Sequence, residues 1–335
     1  MKKLFILASV LVLAVISGCE KKDEKNKNQL TKVRFLLDWT PNTNHTGIYI
    51  AKEKGYYKEL GLDVEILPAG NDAAIEVISG EGAEFAIGEQ EGITLAYSVH
   101  PDIDIVAVAA VLQSNTSGFL VSEKSGINSP KDLAGKQFGG SETSINKAIL
   151  NDIIVKDGGE KDTVKYKNVN SMDVMQGLQY GIDFEWAYAG WDVIKAKLEN
   201  KNMPFIKLTD YDKNLEFYTP VIMASNKFLT RNPEIAKKFL KATARGYEDA
   251  IKDPKSAAEI LMKNAQGLDV ALVESSQKFL GNHYKEDAPY WGHMEPEVWE
   301  KFSKFLYENG GIQNEVDDSK MFTNKYLDTE NSNKN

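Results

Sequence analysis

Leu36-Leu37-Asp38-Trp39-Thr40-Pro41-Asn42-Thr43-Asn44-His45-Thr46-Gly47 joins two kinds of periodicity. Before it, Val33 to Leu37 is a short apolar run of the buried-strand type. Pro41 and the polar Asn42-Thr43-Asn44 break that run, and helical spacing begins near His45, continuing through Ile48, Tyr49, Ala51 and Lys52 to Gly55. A strand that ends where a helix begins is the edge at which open α/β sheets bind ligands, because the first turn of the helix leaves backbone N–H groups unsatisfied. The residue types suit that place. Asp38 accepts hydrogen bonds from an amine or a protonated ring nitrogen, Trp39 offers a flat stacking face, Asn42 and Asn44 donate and accept, and a neutral His45 does either. The plain alternative is that Asn42 or Thr43 caps the helix and Asp38 anchors the loop.

The same rhythm runs outward. Val64–Ile66, Glu84–Ile87 and a long run at Ile103–Leu112 read as strands, with helices over Asp72–Ser79 and Gly92–Tyr97. It repeats at Gly118–Val121, Lys136–Phe138, Val164–Tyr166 and Phe184–Ala187, with helical runs at Ser144–Lys156, Asp173–Gln179 and Trp191–Leu198. Ser129-Pro130-Lys131-Asp132 has the cap, proline and acid of a helix start. After a second long strand-like run, Phe217–Ala224, the chain turns helical over Pro233–Ile251, Pro254–Lys263, Asp269–Phe279 and Pro296–Glu308. Short apolar strands alternating with helices predict α/β layers and parallel sheets. Two such sets predict a clamshell of two α/β lobes joined by crossover strands near 103–112 and 217–224. Residues 31–114 plus 221–330 form lobe one and 115–220 lobe two. A small-ligand cleft then lies between them, closed by hinge motion.

Five further stretches fall at predicted turns facing that cleft. Phe184-Glu185-Trp186-Ala187-Tyr188-Ala189-Gly190-Trp191-Asp192 holds two Trp, one Tyr and two acids, and Trp186, Tyr188 and Trp191 are candidate ligand walls, with core packing as the alternative. Glu89 and Gln90, after the strand ending at Ile87, can meet ligand N–H groups or sit in an ordinary turn. Asn115 and Thr116 occupy the lobe junction, and Glu216 and Tyr218 the returning crossover. Gly139-Gly140-Ser141 has the composition of an anion nest without the lysine of a phosphate loop.

Several function classes are excluded. The 335 residues carry 40 Lys plus Arg against 49 Asp plus Glu, a formal charge of -9, and no strong basic patch offsets it, so nucleic acid is not an expected partner. There is no G-x-S-x-G elbow, no H-E-x-x-H and no G-x-G-x-x-G. The single cysteine, Cys19, excludes disulfide frameworks and multi-cysteine metal sites. His283 and His293 lack metal-ligand spacing and read as surface or lobe-packing residues. No catalytic set, metal or cofactor is expected, and the chain is expected to act as a monomer.

The N-terminus reads as an address. Lys2 and Lys3 precede the apolar run Leu4–Ile16 and the small residues Ser17-Gly18, the layout of an export signal over 1–18. Ile16-Ser17-Gly18-Cys19 resembles the bacterial lipoprotein signal motif, which implies cleavage before Cys19 and lipid attachment to it. Residues 19–30, polar from Glu20 to Gln29, then read as a solvated tether. The expected location is the outer face of the cell membrane, anchored but not spanning it.

Together, Asp38-Trp39-Thr40-Pro41-Asn42-Thr43-Asn44-His45-Thr46-Gly47, Lys54-Gly55-Tyr56-Tyr57, Gly61-Leu62-Asp63-Val64, Asn115-Thr116-Ser117-Gly118, Tyr188-Ala189-Gly190-Trp191-Asp192 and Tyr218-Thr219-Pro220-Val221-Ile222 resemble the thiamine-pyrimidine synthase-like group. The resemblance covers about 30–325 and is stronger to bacterial solute-binding proteins for thiamine pyrimidine precursors. It implies a type II periplasmic-binding-protein clamshell that delivers an aminopyrimidine, such as hydroxymethylpyrimidine or its formylated aminomethyl relative, to an ABC permease and ATPase. Eukaryotic members of the group make the pyrimidine with bound pyridoxal phosphate and a cysteine-rich segment, which this chain lacks. In them the histidine matching His45 serves the cofactor; here it is expected to bond in the pocket or hold structure. The alternatives are a binder of another flat or small solute such as riboflavin or an alkanesulfonate, an exported enzyme of pyrimidine metabolism, or a surface scaffold lipoprotein.

Overall fold

The structure, a computed structural model, describes residues 30–70, 73–169 and 173–328. The expected leader, Cys19, the tether up to residue 29, Asp72 and the polar tail after 328 lie outside the described residues. The first run of elements is β1 (Thr31–Leu36), α1 (Thr46–Glu53), α2 (Tyr56–Glu59), β2 (Leu62–Leu67), α3 (Ala74–Ser79), β3 (Phe85–Gly88), α4 (Gln90–Val99) and β4 (Val106–Ala110). The second is β5 (Ser117–Val121), β6 (Gln137–Gly139), α5 (Ser144–Lys156), β7 (Lys165–Lys167), α6 (Val174–Gly177), β8 (Phe184–Tyr188), α7 (Ile194–Leu198) and β9 (Phe205–Lys207). The chain then returns through β10 (Val221–Ala224) and finishes with α8 (Asn226–Arg231), α9 (Pro233–Lys252), α10 (Pro254–Asn264), α11 (Val270–Leu280) and α12 (Pro296–Glu308).

Two five-stranded sheets result, in the orders β2-β1-β3-β10-β4 and β7-β6-β8-β5-β9. Neither is parallel throughout. β10 runs against β3 and β4, and β5 runs against β8 and β9. The connections explain this correction. β5 and β10 are the strands that arrive from the other lobe, so each begins at the cleft edge where its neighbours end. The crossovers also contain less strand than their apolar runs promised: β4 stops at Ala110 and β10 starts at Val221. Pro220, next to β10, has no N–H to give a ladder, although its carbonyl accepts from Val111 N–H at 3.0 Å.

The C-terminal helices follow the sequence closely. α9 buries Ala236, Phe239, Leu240, Thr243, Gly246, Tyr247 and Ala250, a stripe at helical spacing. Asp269 caps α11, accepting from Leu272 N–H at 2.8 Å. The Ser129–Asp132 start gives only a 3-10 turn, Pro130–Leu133, which Gly135 at φ 73° closes. α12 joins both cores. Its Trp299 packs in the first-lobe core with Met294 and with Tyr218 of the returning crossover, while Phe302 stacks on Phe217 at 4.2 Å beside the second. α1 and α9 cross so closely that a Cβ on Gly246 would lie 1.9 Å from the Gly47 carbonyl oxygen, and one on Gly47 would lie 2.3 Å from the Tyr247 ring. The glycine that closes the opening motif is therefore a packing requirement.

Candidate functional site

Strand ends from both lobes contribute to one cavity of about 380 Å³. From the first lobe come Asp38 and Trp39 after β1, Glu89 after β3 and Leu112 after β4, and the returning crossover before β10 adds Thr219 and Pro220. The second lobe supplies Thr116 before β5, Gly139 at the end of β6, Val169 after β7, and Tyr188 at the end of β8. Trp191 and Asp192 follow in a π-helical turn, Ala189–Val193, where a plain helix was expected. Such wide turns recur at functional sites because they re-aim side chains.

The first-lobe wall is held from behind. Asn42 Oδ1 accepts from Asn44 N–H at 2.8 Å, so the capping role and a place in the cavity wall coincide in one residue. His45 is fully buried and is not part of the wall. Its Nδ1 accepts the Asn42 N–H at 3.2 Å, which leaves the proton on Nε2, and Nε2 donates to Asp38 Oδ1 at 2.7 Å. His45 thus aims Asp38. The loop is pinned further by Tyr247, whose hydroxyl donates to the Asn44 carbonyl, and by Tyr284, which donates to that of Thr43, each at 2.6 Å. Ser276 on α11 ties the two walls, bonding Thr43 Oγ1 on one side and donating to the Gly190 carbonyl on the other.

Four other candidates hold the crossovers rather than line the cavity. Gln90 is fully buried and accepts Tyr218 N–H at 2.8 Å; the Tyr218 hydroxyl accepts from Glu295 N–H at 2.8 Å. Asn115 donates through Nδ2 to the Leu215 carbonyl and accepts Ser117 N–H, both at 2.8 Å, while its own N–H donates to Glu216. His283 pairs with Glu286 and His293 with Glu295. Among the described residues no group of three or more His, Cys, Asp or Glu is placed to hold a metal.

Aromatic faces and carboxylates dominate the wall. Trp39 is 42% exposed, an open ring at the mouth. Trp186 is half-buried, edge-on to Phe119 at 5.4 Å, and Trp191 rests against the first-lobe core. Five carboxylates line the cavity: Asp38, Glu89, Asp173, Glu185 and Asp192, and no Lys, Arg or His is among the described lining residues. Glu185, Asp173, Thr43 and Leu280 are lining residues that the sequence reading does not single out. Lys195 pairs with Asp173. Burial and the facing Asp38 push the Glu89 carboxyl upward. Burial, then Asp192 and Asp173, lift Glu185 to about 7. Asp192 rises to about 6 through burial, against the opposing bond from Tyr188 N–H at 2.9 Å. Burial raises the Tyr188 phenol, and Glu91 and Glu89 add to it.

Such a wall selects by charge. At 4 Å and an effective dielectric of 20, each like-charge pair costs about 4 kcal/mol, against about 0.5–1.5 kcal/mol for an aromatic stack beyond its buried area.

Residues 42–257 match the family described as NMT1/THI5 like. The chain belongs to that family. Among relatives of this NMT1/THI5-like chain, the formylaminopyrimidine-binding protein of Halalkalibacterium halodurans is 26% identical over 94% of this chain and 97% of its own. A 4-amino-5-hydroxymethyl-2-methylpyrimidine phosphate synthase of Legionella pneumophila is 23% identical, over 89% of this chain and 92% of its own. In fold, the NMT1/THI5-like chain superposes on a protein of Bordetella bronchiseptica RB50 with a TM-score of 0.69 at 21% identity, covering 91% of this chain and 98% of that one. The alkanesulfonate-binding protein SsuA of Xanthomonas axonopodis pv. citri gives 0.65 at 13% identity, covering 88% and 99%. The architecture is the type II periplasmic-binding-protein clamshell.

Proposed function

We propose that this chain is the extracytoplasmic solute-binding component of an ABC importer, and that it captures an aminopyrimidine of the thiamine-precursor class between its lobes. The observation that carries this reading is a cavity walled by Trp39, Trp186, Tyr188 and Trp191 and by carboxylates, with no cation among its described lining residues. The flat ring stacks on the aromatics, and Asp38, Asn42 and Glu89 take hydrogen bonds from its amidine-like edge. A ring with the wrong edge leaves buried acceptors unpaired, at about 1–3 kcal/mol each. Residues 31–114 plus 221–330 act as one jaw and 115–220 as the other, and the closed pair is what the permease and ATPase complex meets. Cys19 carries the lipid, and residues 20–30 tether the body to the membrane.

Two rival readings fit the wall less well. Sulfonates bring an anion into a ring of carboxylates. Pyridoxal phosphate, which synthesis requires in the group this chain resembles, meets no lysine for its aldehyde and no cation for its phosphate among the described lining residues. The residues present do not fit that cofactor, and Cys19 is the only cysteine.

Titration calorimetry of the purified chain against aminopyrimidines, riboflavin and alkanesulfonates tests the reading. Saturable binding of an aminopyrimidine, weakened in Trp39→Ala, is the expected result. Tight riboflavin or sulfonate binding with no response to any pyrimidine would transfer the assignment.

A further inference from the structure

The proposed aminopyrimidine edge uses Asp38 and Glu89, which leaves a second carboxylate on the other wall without a task. Glu185 is 5% exposed, lines the cavity, and its buried Oε1 has no hydrogen-bond partner. An unpaired buried carboxylate oxygen is costly, and a cation seated beside the carboxylate in the cavity would offset that cost. The fold makes room for it. Gly139, its cross-strand neighbour, and Gly177, at the end of α6, both sit where a Cβ would collide with it: 2.4 Å from Glu185 Cγ and 1.6 Å from Oε1, respectively. The charged groups facing it are Asp192, on the turn after β8, and Asp173, which precedes α6 and is paired with Lys195 on α7.

Resting on the solute-binding reading above, we infer that Glu185 is a specificity-determining residue that receives a cationic primary amine carried by the ligand, so that the solute is a pyrimidine with a free aminomethyl-type arm rather than a hydroxymethyl or N-formyl one. The ammonium supplies the three donors that Glu185 and Asp192 lack, and it offsets the negative charge of this wall. A hydroxymethyl arm brings one donor and no charge. An N-formyl arm adds a carbonyl oxygen facing carboxylates. Because burial and its acidic neighbours leave Glu185 partly protonated near neutral pH, an arriving ammonium displaces that proton to solvent.

The test uses the whole exported chain and three pyrimidines that differ only in the arm: aminomethyl, N-formylaminomethyl and hydroxymethyl. Calorimetry near pH 7 in two buffers of different ionisation enthalpy reads affinity and proton release together. The expected result is preference for the amine by about tenfold or more, the range of a hydrogen bond to a charged group, with proton release on binding. That preference is lost in Glu185→Gln, whose circular dichroism confirms folding, because the variant weakens the amine more than it weakens the hydroxymethyl compound. Equal affinities for the three arms, or an amine preference that survives Glu185→Gln, overturn the role of Glu185 and leave the aminopyrimidine reading standing. If no pyrimidine binds but a small diamine does, and needs Glu185, the pyrimidine reading falls and the amine site stands. If nothing in either set binds, both fall.

Discussion

Glu185→Gln has a consequence for the empty protein opposite to its effect on binding. Burial, Asp192 and Asp173 lift the Glu185 carboxyl from an ordinary 4.5 to about 7. Below pH 4.5 the group is protonated in both the folded and unfolded chains and adds nothing to the pH dependence. Between 4.5 and about 7 the unfolded chain gives up the proton and the folded chain keeps it, so stability falls across that window. Above pH 7 the deficit is complete. A tenfold difference in proton affinity between the two states corresponds to about 1.4 kcal/mol, so the full penalty is about 3 kcal/mol, and about 2–3 kcal/mol of it develops between pH 5 and pH 8. Glutamine matches the neutral acid in shape and removes the titration. Urea melts of wild type and Glu185→Gln, ligand-free, at pH 5 and pH 8 measure the difference directly, because packing effects common to both pH values cancel. The variant should gain about 2–3 kcal/mol relative to wild type on going from pH 5 to pH 8. A relative stability that does not change with pH would refute the claim that Glu185 is held in an environment hostile to its charge.

Two further perturbations separate the wall from the scaffold. Trp39→Ala should weaken ligand binding by at least the about 0.5–1.5 kcal/mol of a lost stack and leave the melting temperature unmoved, since the ring is 42% exposed; unchanged affinity in calorimetry would remove Trp39 from the site. Gly246→Ala should cost about 1–3 kcal/mol or more, because the new methyl would meet the Gly47 carbonyl, a backbone atom, at 1.9 Å; a thermal melt equal to wild type would show that α1 and α9 are not so tightly crossed.

Much of the site's position was legible in the sequence because strand ends announce themselves. Asp38, Trp39, Asn42, Glu89, Thr116, Trp186, Tyr188 and Trp191 were each placed at a predicted turn, and each lines the cavity. The same signal does not tell a wall residue from the one behind it. His45, Gln90, Asn115, Glu216 and Tyr218 sit within three residues of wall positions, but their side chains turn inward to backbone groups that the loops would otherwise leave unpaired. Hydrogen-bonding capacity suits both roles, and only the direction of the side chain divides them. Glu185 escaped because period-two alternation in β8 puts it beside Ala187, on what looked like the lesser face. What singles it out is the space left by Gly139 and Gly177, and Gly177 is not its neighbour in sequence. Strand direction was the other failure. An apolar run carries no direction, so the sequence does not tell that β5 and β10 run against their neighbours; the side from which each crossover enters decides it.

A crystal structure of the exported body with a bound aminopyrimidine tests the central claim most directly. The account predicts electron density for the ring between the Asp38–Asn44 loop and the Tyr188–Asp192 turn, stacked on at least one of the wall aromatics and bonded to a carboxylate. Density for the ring elsewhere on the molecule, with that cavity holding only solvent, would contradict it.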